Sequence, residues 1–330
     1  MRMKNIIRPG ILCKHFKGKE LLDKNIYRII SLNNNGKDLD ANIKYTGVGD
    51  VEETTNLVVY MNVFNNMLFA RELDDLYVEL DSDQKEKYGQ MHRIEPLTKE
   101  EEKTINTKEF IFKKYMTTIN PLLKDYIEEK VLPEYDKNES GHGINHIKDV
   151  IKRSFELVAE NHLDVNIDMV YVIAAYHDIG HHIDSKTHEI ISADMMSKDK
   201  NLSKFFTDEE LQIIKEAIED HRASAKENPR SIYGRIVSSA DRNNKVEDCL
   251  RRTYTYGKKL NPDATDEELF LRAYDVLQKK FGENGYAKFY FKDSQYENFL
   301  EEIRTLLKDK DKYINTQREY IKKLKMEKKL

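Results

Sequence analysis

The chain has few cysteines, no long apolar run and no excess of one charge. Its two cysteines, Cys13 and Cys249, stand far apart in 330 residues and match no zinc or redox spacing. That excludes a disulfide framework and favours a reducing compartment. No segment reaches bilayer-spanning length, and the opening residues 1–12 combine positive charge with broken apolar runs too short for a signal peptide's central region. A soluble, cytoplasmic protein is expected, with no membrane partner. The 55 basic and 59 acidic residues give a formal net charge of −4, and the signs interleave. No domain-wide field for nucleic acid arises, so nucleic acid is not an expected partner and an anionic substrate has to be held by local groups.

What is present is enough for a packed protein, with 39% hydrophobic and 35% charged residues. The length favours two domains. From Pro9 to Pro96 the pattern is that of short strands: 25–32, 56–64 and 68–73, with turns expected at Asn33–Gly36 and Gly47–Asp50. Thr98 with Glu101 three residues later is a capping box, so a boundary is placed between 1–97 and 98–330. Beyond it helical periodicity dominates, at 111–131, 147–159, 168–179, 209–218, 267–281 and 296–307. The lysine-rich end, 317–330, has apolar residues at helical spacing and is expected to be a solvated helix.

Seven of the ten histidines lie between positions 142 and 188. In 168–178 an apolar helix runs into His177-Asp178, and Gly180 suits a left-handed C-terminal cap. The pair then sits at the negative end of the helix dipole, where a cation is favoured. Upstream, His146 falls in the first turn of an amphipathic helix. Downstream, Asp241 follows the small and apolar run 235–240. Two imidazoles and two carboxylates make a mixed nitrogen and oxygen site suited to manganese, iron, cobalt, nickel, zinc or magnesium.

His146, His177-Asp178 and Asp241 resemble the ordered H…HD…D signature of the HD superfamily of metal-dependent phosphohydrolases, over about residues 110–310. The resemblance implies an all-α helical bundle holding one or two divalent ions, and hence an α+β protein overall. His188 and His221 resemble the additional histidines of two-metal members, with Asp178 bridging; in a one-metal site they orient ligands or hold phosphate. For the proton that the leaving oxygen needs, His181 and His182 are the candidates, His181 at the position of a catalytic histidine in some nucleotide-cleaving members. Catalysis is thus expected of Asp178, His181 and His182. Lys186, Arg222 and Arg242 flank the metal residues and can clamp phosphate oxygens or be solvated charges. Tyr286 and Tyr290 can stack on a base or belong to a core stripe.

The front segment, from Pro9-Gly10 through His15-Phe16-Lys17-Gly18 to Val58-Val59-Tyr60 and Arg71-Glu72-Leu73, resembles a family of small bacterial domains of unknown function. It departs from that pattern in Glu72 for proline, in lacking tryptophan, and in an insertion near 38–55. A small curved β-barrel is implied, with His15 a packing residue. The expected activity is hydrolysis of a phosphoester in a nucleotide or other small phosphorylated metabolite. Two other readings stay open: a di-iron oxygenase on the same ligand set, and a nucleotide-binding sensor without catalysis. Oligomeric state is left open.

Overall fold

The structure is a computed structural model that describes residues 7–35, 44–45, 56–222, 227–242, 245–287 and 290–327. It is an α+β protein. Six strands, β1 (Leu12–His15), β2 (Ile26–Asn35), β3 (Lys44–Tyr45), β4 (Asn56–Asn62), β5 (Leu68–Glu72) and β6 (Ile94–Pro96), form one sheet in the order β3-β5-β4-β2-β1-β6. All pairings are antiparallel except β3 with β5. The register of β2 against β4 shifts twice, between Ile29 and Ser31 and between Ser31 and Asn34, bulges that bend the sheet. Asn33 to Asn35, expected in a turn, instead extend β2, because β4 offers backbone partners opposite Asn34 and Asn35. The turn expected at 47–50 lies outside the described residues, as does all of the 38–55 insertion except 44–45.

Short helices α1 (Leu73–Leu76) and α2 (Ser82–Tyr88) connect β5 to β6. Helices then follow without interruption by strands: α3 (Lys99–Ile105), α4 (Lys108–Thr118), α5 (Pro121–Tyr126), α6 (Ile144–Glu160), α7 (Ile167–Tyr176), α8 (His188–Ser197), α9 (Asp208–Glu219) and α10 (Ile232–Ala240). The remaining four are α11 (Val246–Leu260), α12 (Asp266–Phe281), α13 (Ser294–Leu307) and α14 (Lys310–Met326). Thr98 and Glu101 form the expected reciprocal capping box at the start of α3. The single helix expected over 111–131 is broken, since Pro121 cannot donate a backbone hydrogen bond. Asn120 caps the new helix there, its side chain accepting from the Leu122 and Leu123 amides.

Sheet and helices share a core. Ile26 and Phe64 pack with Leu97, Phe110 and Tyr115 and onward to the fully buried face of α7. The buried Lys114 ammonium donates to the Leu22 and Lys24 carbonyls at 2.7 and 2.8 Å, tying α4 to the front segment. A second core joins α11 to α14. The C-terminal segment is therefore more than a solvated helix: Tyr313, Gln317, Ile321 and Leu324 are buried, and Gln317 donates to the Leu250 carbonyl at 2.9 Å. Cys13 and Cys249 are buried free thiols, each pushed up to about 12 by burial. His15 packs on Phe16, and burial lowers it to about 4. No helix among the described residues is long and apolar enough to cross a membrane.

Candidate metal centre

The helix ends converge. His177-Asp178 follows α7, His221 lies two residues past α9, and Asp241 directly follows α10. Three C-terminal helix ends, each the negative end of a backbone dipole, thus deliver ligand-type side chains to one place. His146 and His188 come from the first turns of α6 and α8.

Local sequence explains how α7 ends. From Met169 to Tyr176 every residue is buried, so its last carbonyls cannot turn to water and take side-chain partners. His177 Nδ1 donates to the Ala174 carbonyl at 2.8 Å, and the Tyr135 hydroxyl to that of Ala175 at 2.7 Å. A left-handed Gly180 is expected from sequence, but among the described residues the left-handed glycines are Gly10, Gly18 and Gly89. With the carbonyls already satisfied, the chain continues through tight turns, Ile179 N to Tyr176 O and His181 N to Asp178 O. Gly180 is needed for space instead: a Cβ there would fall 2.6 Å from Ile191 Cγ2. Its N–H donates to Ser192 Oγ at 3.0 Å, drawing α8 and His188 against the turn.

Asp178 lies at the centre, buried, with its two oxygens facing different groups. Oδ2 is 2.6 Å from His142 Nδ1 and 3.6 Å from both His146 Nε2 and His177 Nε2. Oδ1 is 3.1 Å from His188 Nε2 and 3.5 Å from His221 Nε2. Asp241 Oδ1 completes the first side, 3.1 Å from His146 Nε2 and 3.8 Å from His177 Nε2. The donor atoms fall into three overlapping sets, each within 4.8 Å: His142, His146 and Asp178; His146, His177 and Asp241; Asp178, His188 and His221.

Tautomers decide what these atoms can do. His177, His188 and His221 each direct Nδ1 at the carbonyl three residues back, at 2.8, 3.0 and 2.6 Å. A carbonyl only accepts, so Nδ1 carries a proton, and a ring with no second proton presents a bare Nε2 to the interior. His188 and His221 then aim two lone pairs at each other across 3.1 Å. A cation or an extra proton has to lie between or beside them. Meanwhile His146 Nε2, His177 Nε2 and Asp178 Oδ1 are buried and make no hydrogen bond, which costs roughly 1–3 kcal/mol per group if nothing binds them. The residues fit divalent cations.

Charges follow the same layout. Burial raises the Asp178 carboxyl, but the imidazoles of His177, His142, His146 and His188 outweigh it and hold Asp178 well below the usual range. Burial likewise opposes the Asp241 carboxylate, and His146 reverses the balance, keeping it low. For His146 burial lowers the ring, while Asp178 and Asp241 overcome this and lift it to about 10. His177 has no such excess and burial takes it down to about 4.

The other expected residues are placed as follows. His181 stacks on the His142 ring, centroids 3.8 Å apart, and lies 5.1 Å from His188. His182 is exposed, its ring directed to Asn138 Oδ1 at 3.1 Å, and is not drawn into the donor sets. Asn138 in turn donates to the Asp178 and His142 carbonyls, both at 2.9 Å. Arg222 is committed to Glu189, 3.0 Å away, and to the Lys186 carbonyl; the Lys186 side chain is exposed. Arg242 lies 4.9 Å from the Tyr290 ring centroid, while Tyr286 is exposed. Sequence reasoning placed His142 in the histidine cluster but not among the ligand candidates. Its signal was the spacing His142-x-x-x-His146, which reads as helical only if the turn Ser140–His142 continues toward α6.

Residues 143–243 match the HD domain family, and the match spans His146, His177, Asp178, His188, His221 and Asp241. An uncharacterized protein from Clostridium beijerinckii is 28% identical over 135 residues, covering 38% of this chain and 83% of that protein. No solved structure matches.

Proposed function

Residues 143–243 being an HD domain, of the superfamily of metal-dependent phosphohydrolases, we propose that this protein hydrolyses a phosphoester of a small phosphorylated metabolite, a nucleotide being the favoured class. The observation that carries the reading is Asp178, whose oxygens face two separate sets of imidazole donors. His146, His177 and Asp241 would hold one cation and His188 and His221 a second, with the Asp178 carboxylate between the two sets. Such ions, when bound, activate water and neutralise charge on phosphoryl oxygens.

The chain's own groups supply the rest. His142 donates Nδ1–H to Asp178 and would be free to join the first cation, and Asn138 fixes both backbones. His181 is the proton donor to the leaving oxygen: it stacks on His142 at the edge of the cluster. Burial and His142 lower its ring to about 4, so it can donate only when the phosphate of a bound substrate raises it. His182, turned to Asn138, steadies that loop. Arg242 orients phosphate oxygens. Residues 1–97 serve as a platform for 98–330, packed against α4 and joined to the helical core through Ile26 and Phe64.

The test is elemental analysis of protein purified without added metal, with phosphate release from nucleotides and generic phosphoesters. Up to two divalent ions per chain and metal-dependent release are expected. Asp178→Ala should lose the ions and lower release by about a thousandfold or more. Two irons with oxygen consumption and no phosphate release would move the assignment to the oxygenase reading. Tight nucleotide binding without turnover under any metal would move it to a sensor.

A further inference from the structure

Three basic side chains gather at one end of the centre. Arg242 directly follows Asp241, and its buried Nε makes no hydrogen bond, while its guanidinium faces the rings of Tyr290 and Tyr296 at 4.9 and 5.6 Å. From α11, Arg252 reaches to 3.4 Å from His142 Nε2. From α12, which packs on α11 through a core that includes Cys249 and Phe281, Lys280 sets its Nζ over the Phe281 ring at 5.1 Å, and its charge acts on those of Arg252, Arg242 and Asp241. Among the described residues none of the three forms an ion pair with a carboxylate. Their neighbours on α11 differ, since Arg251 is paired with Asp248 at 3.3 Å and Lys259 with Glu139 at 2.7 Å.

Like charges drawn together without counter-ions are unfavourable unless an anion completes them. Asp241 is the carboxylate that acts on Lys280, and its charge is spent once it holds a cation. We propose that Arg252 and Lys280, together with Arg242, form a cradle for the phosphate oxygens of the substrate at the His142 and Asp241 end of the centre. The inference rests on the phosphohydrolase reading for which phosphate it names. Because Arg252 and Lys280 lie beyond residues 143–243, the helices after the HD domain take part in choosing the substrate. The guanidinium of Arg252 gives a bidentate grip and Lys280 a point charge.

The test is calorimetric titration of the full chain, as purified and with its metal content measured, with inorganic phosphate. Arg252→Gln and Lys280→Gln should each weaken phosphate binding about tenfold, and the double variant more, with metal content as in the parent. Lys280→Arg, which keeps the charge, should bind within about threefold of the parent, and Arg252→Lys, which keeps the charge but loses the bidentate grip, should recover part of the loss seen in Arg252→Gln, so that a loss through misfolding shows as failure of these too and as a lowered melting temperature. Phosphate affinity equal to the parent's in the double Gln variant overturns the cradle even if metal-dependent hydrolysis stands. Conversely, a parent that holds no metal but binds phosphate through Arg252 and Lys280 keeps the cradle while the hydrolase reading fails.

Discussion

The two sides of Asp178 are built differently. Its Oδ2 side gathers His142, His146 and His177 with a second carboxylate, Asp241, and carries at its edge Arg242, Arg252 and Lys280, which have no carboxylate ion pair among the described residues. Its Oδ1 side has the imidazoles of His188 and His221, and its nearby arginine, Arg222, is already held by Glu189. The first side therefore has negative charge of its own to hold a cation, whereas the second borrows all of it from Asp178. One carboxylate shared between unequal partners predicts unequal affinity: the Oδ2 side fills first and the Oδ1 side follows.

Removing one ligand from each side breaks the comparison most directly. His177→Ala takes Nε2 from the side that also positions Asp241, and the expected loss of phosphate release is about a thousandfold, with metal bound at well under one ion per chain. His221→Ala leaves the charged side intact. It should retain about one tightly held ion and lose about ten- to a hundredfold in rate. Metal content by elemental analysis separates the two, and equal losses of metal in both variants would show that the sides do not fill independently.

How much of this was legible depends on the range of the forces involved. The strands at 26–35, 56–62 and 68–72 and the helices around 144–160, 167–176 and 266–281 follow from local periodicity, which acts over a few residues and is written in the order of side chains. His177, Asp178 and Asp241 were legible for the same reason, each following an apolar run whose end is visible in sequence. The break at Pro121 was written there too, but the apolar pattern on both sides overrode it. Gly180 misled because its role is set by Ile191 across space, and the burial of Tyr313, Gln317 and Ile321 is set by α11 and α12. His142 was missed as a donor since its partner, Asp178, is 36 residues away.

Gly180→Ala sharpens the comparison without touching a ligand. The added Cβ would meet Ile191 Cγ2 at 2.6 Å and Ile191 Cβ at 2.9 Å, so α8 has to move outward. Overpacking of this kind costs about 1–3 kcal/mol. Because α8 begins with His188, the displacement falls on the weaker side of the centre. The expected result is a lower melting temperature together with loss of the second, less tightly held ion while the first stays. Loss of both ions in step would show that the turn 177–183 cannot move on one side alone.

The smallest effect is expected at Arg222, where sequence reading and structure part most clearly. A guanidinium one residue from His221 reads as a phosphate clamp, but its Nη1 is 3.0 and 3.2 Å from the two oxygens of Glu189 and 2.6 Å from the Lys186 carbonyl. An arginine so occupied has to break an ion pair before it can take a phosphate, and the pair is partly exposed, which keeps its own worth to about 0–1 kcal/mol. Arg222→Ala should therefore shift the melting temperature slightly and change KM for a phosphoester by less than about threefold, within the energy of that pair. A large rise in KM with metal content intact would show that Glu189 releases Arg222 when substrate arrives, and would give the Oδ1 side a phosphate contact to match the other.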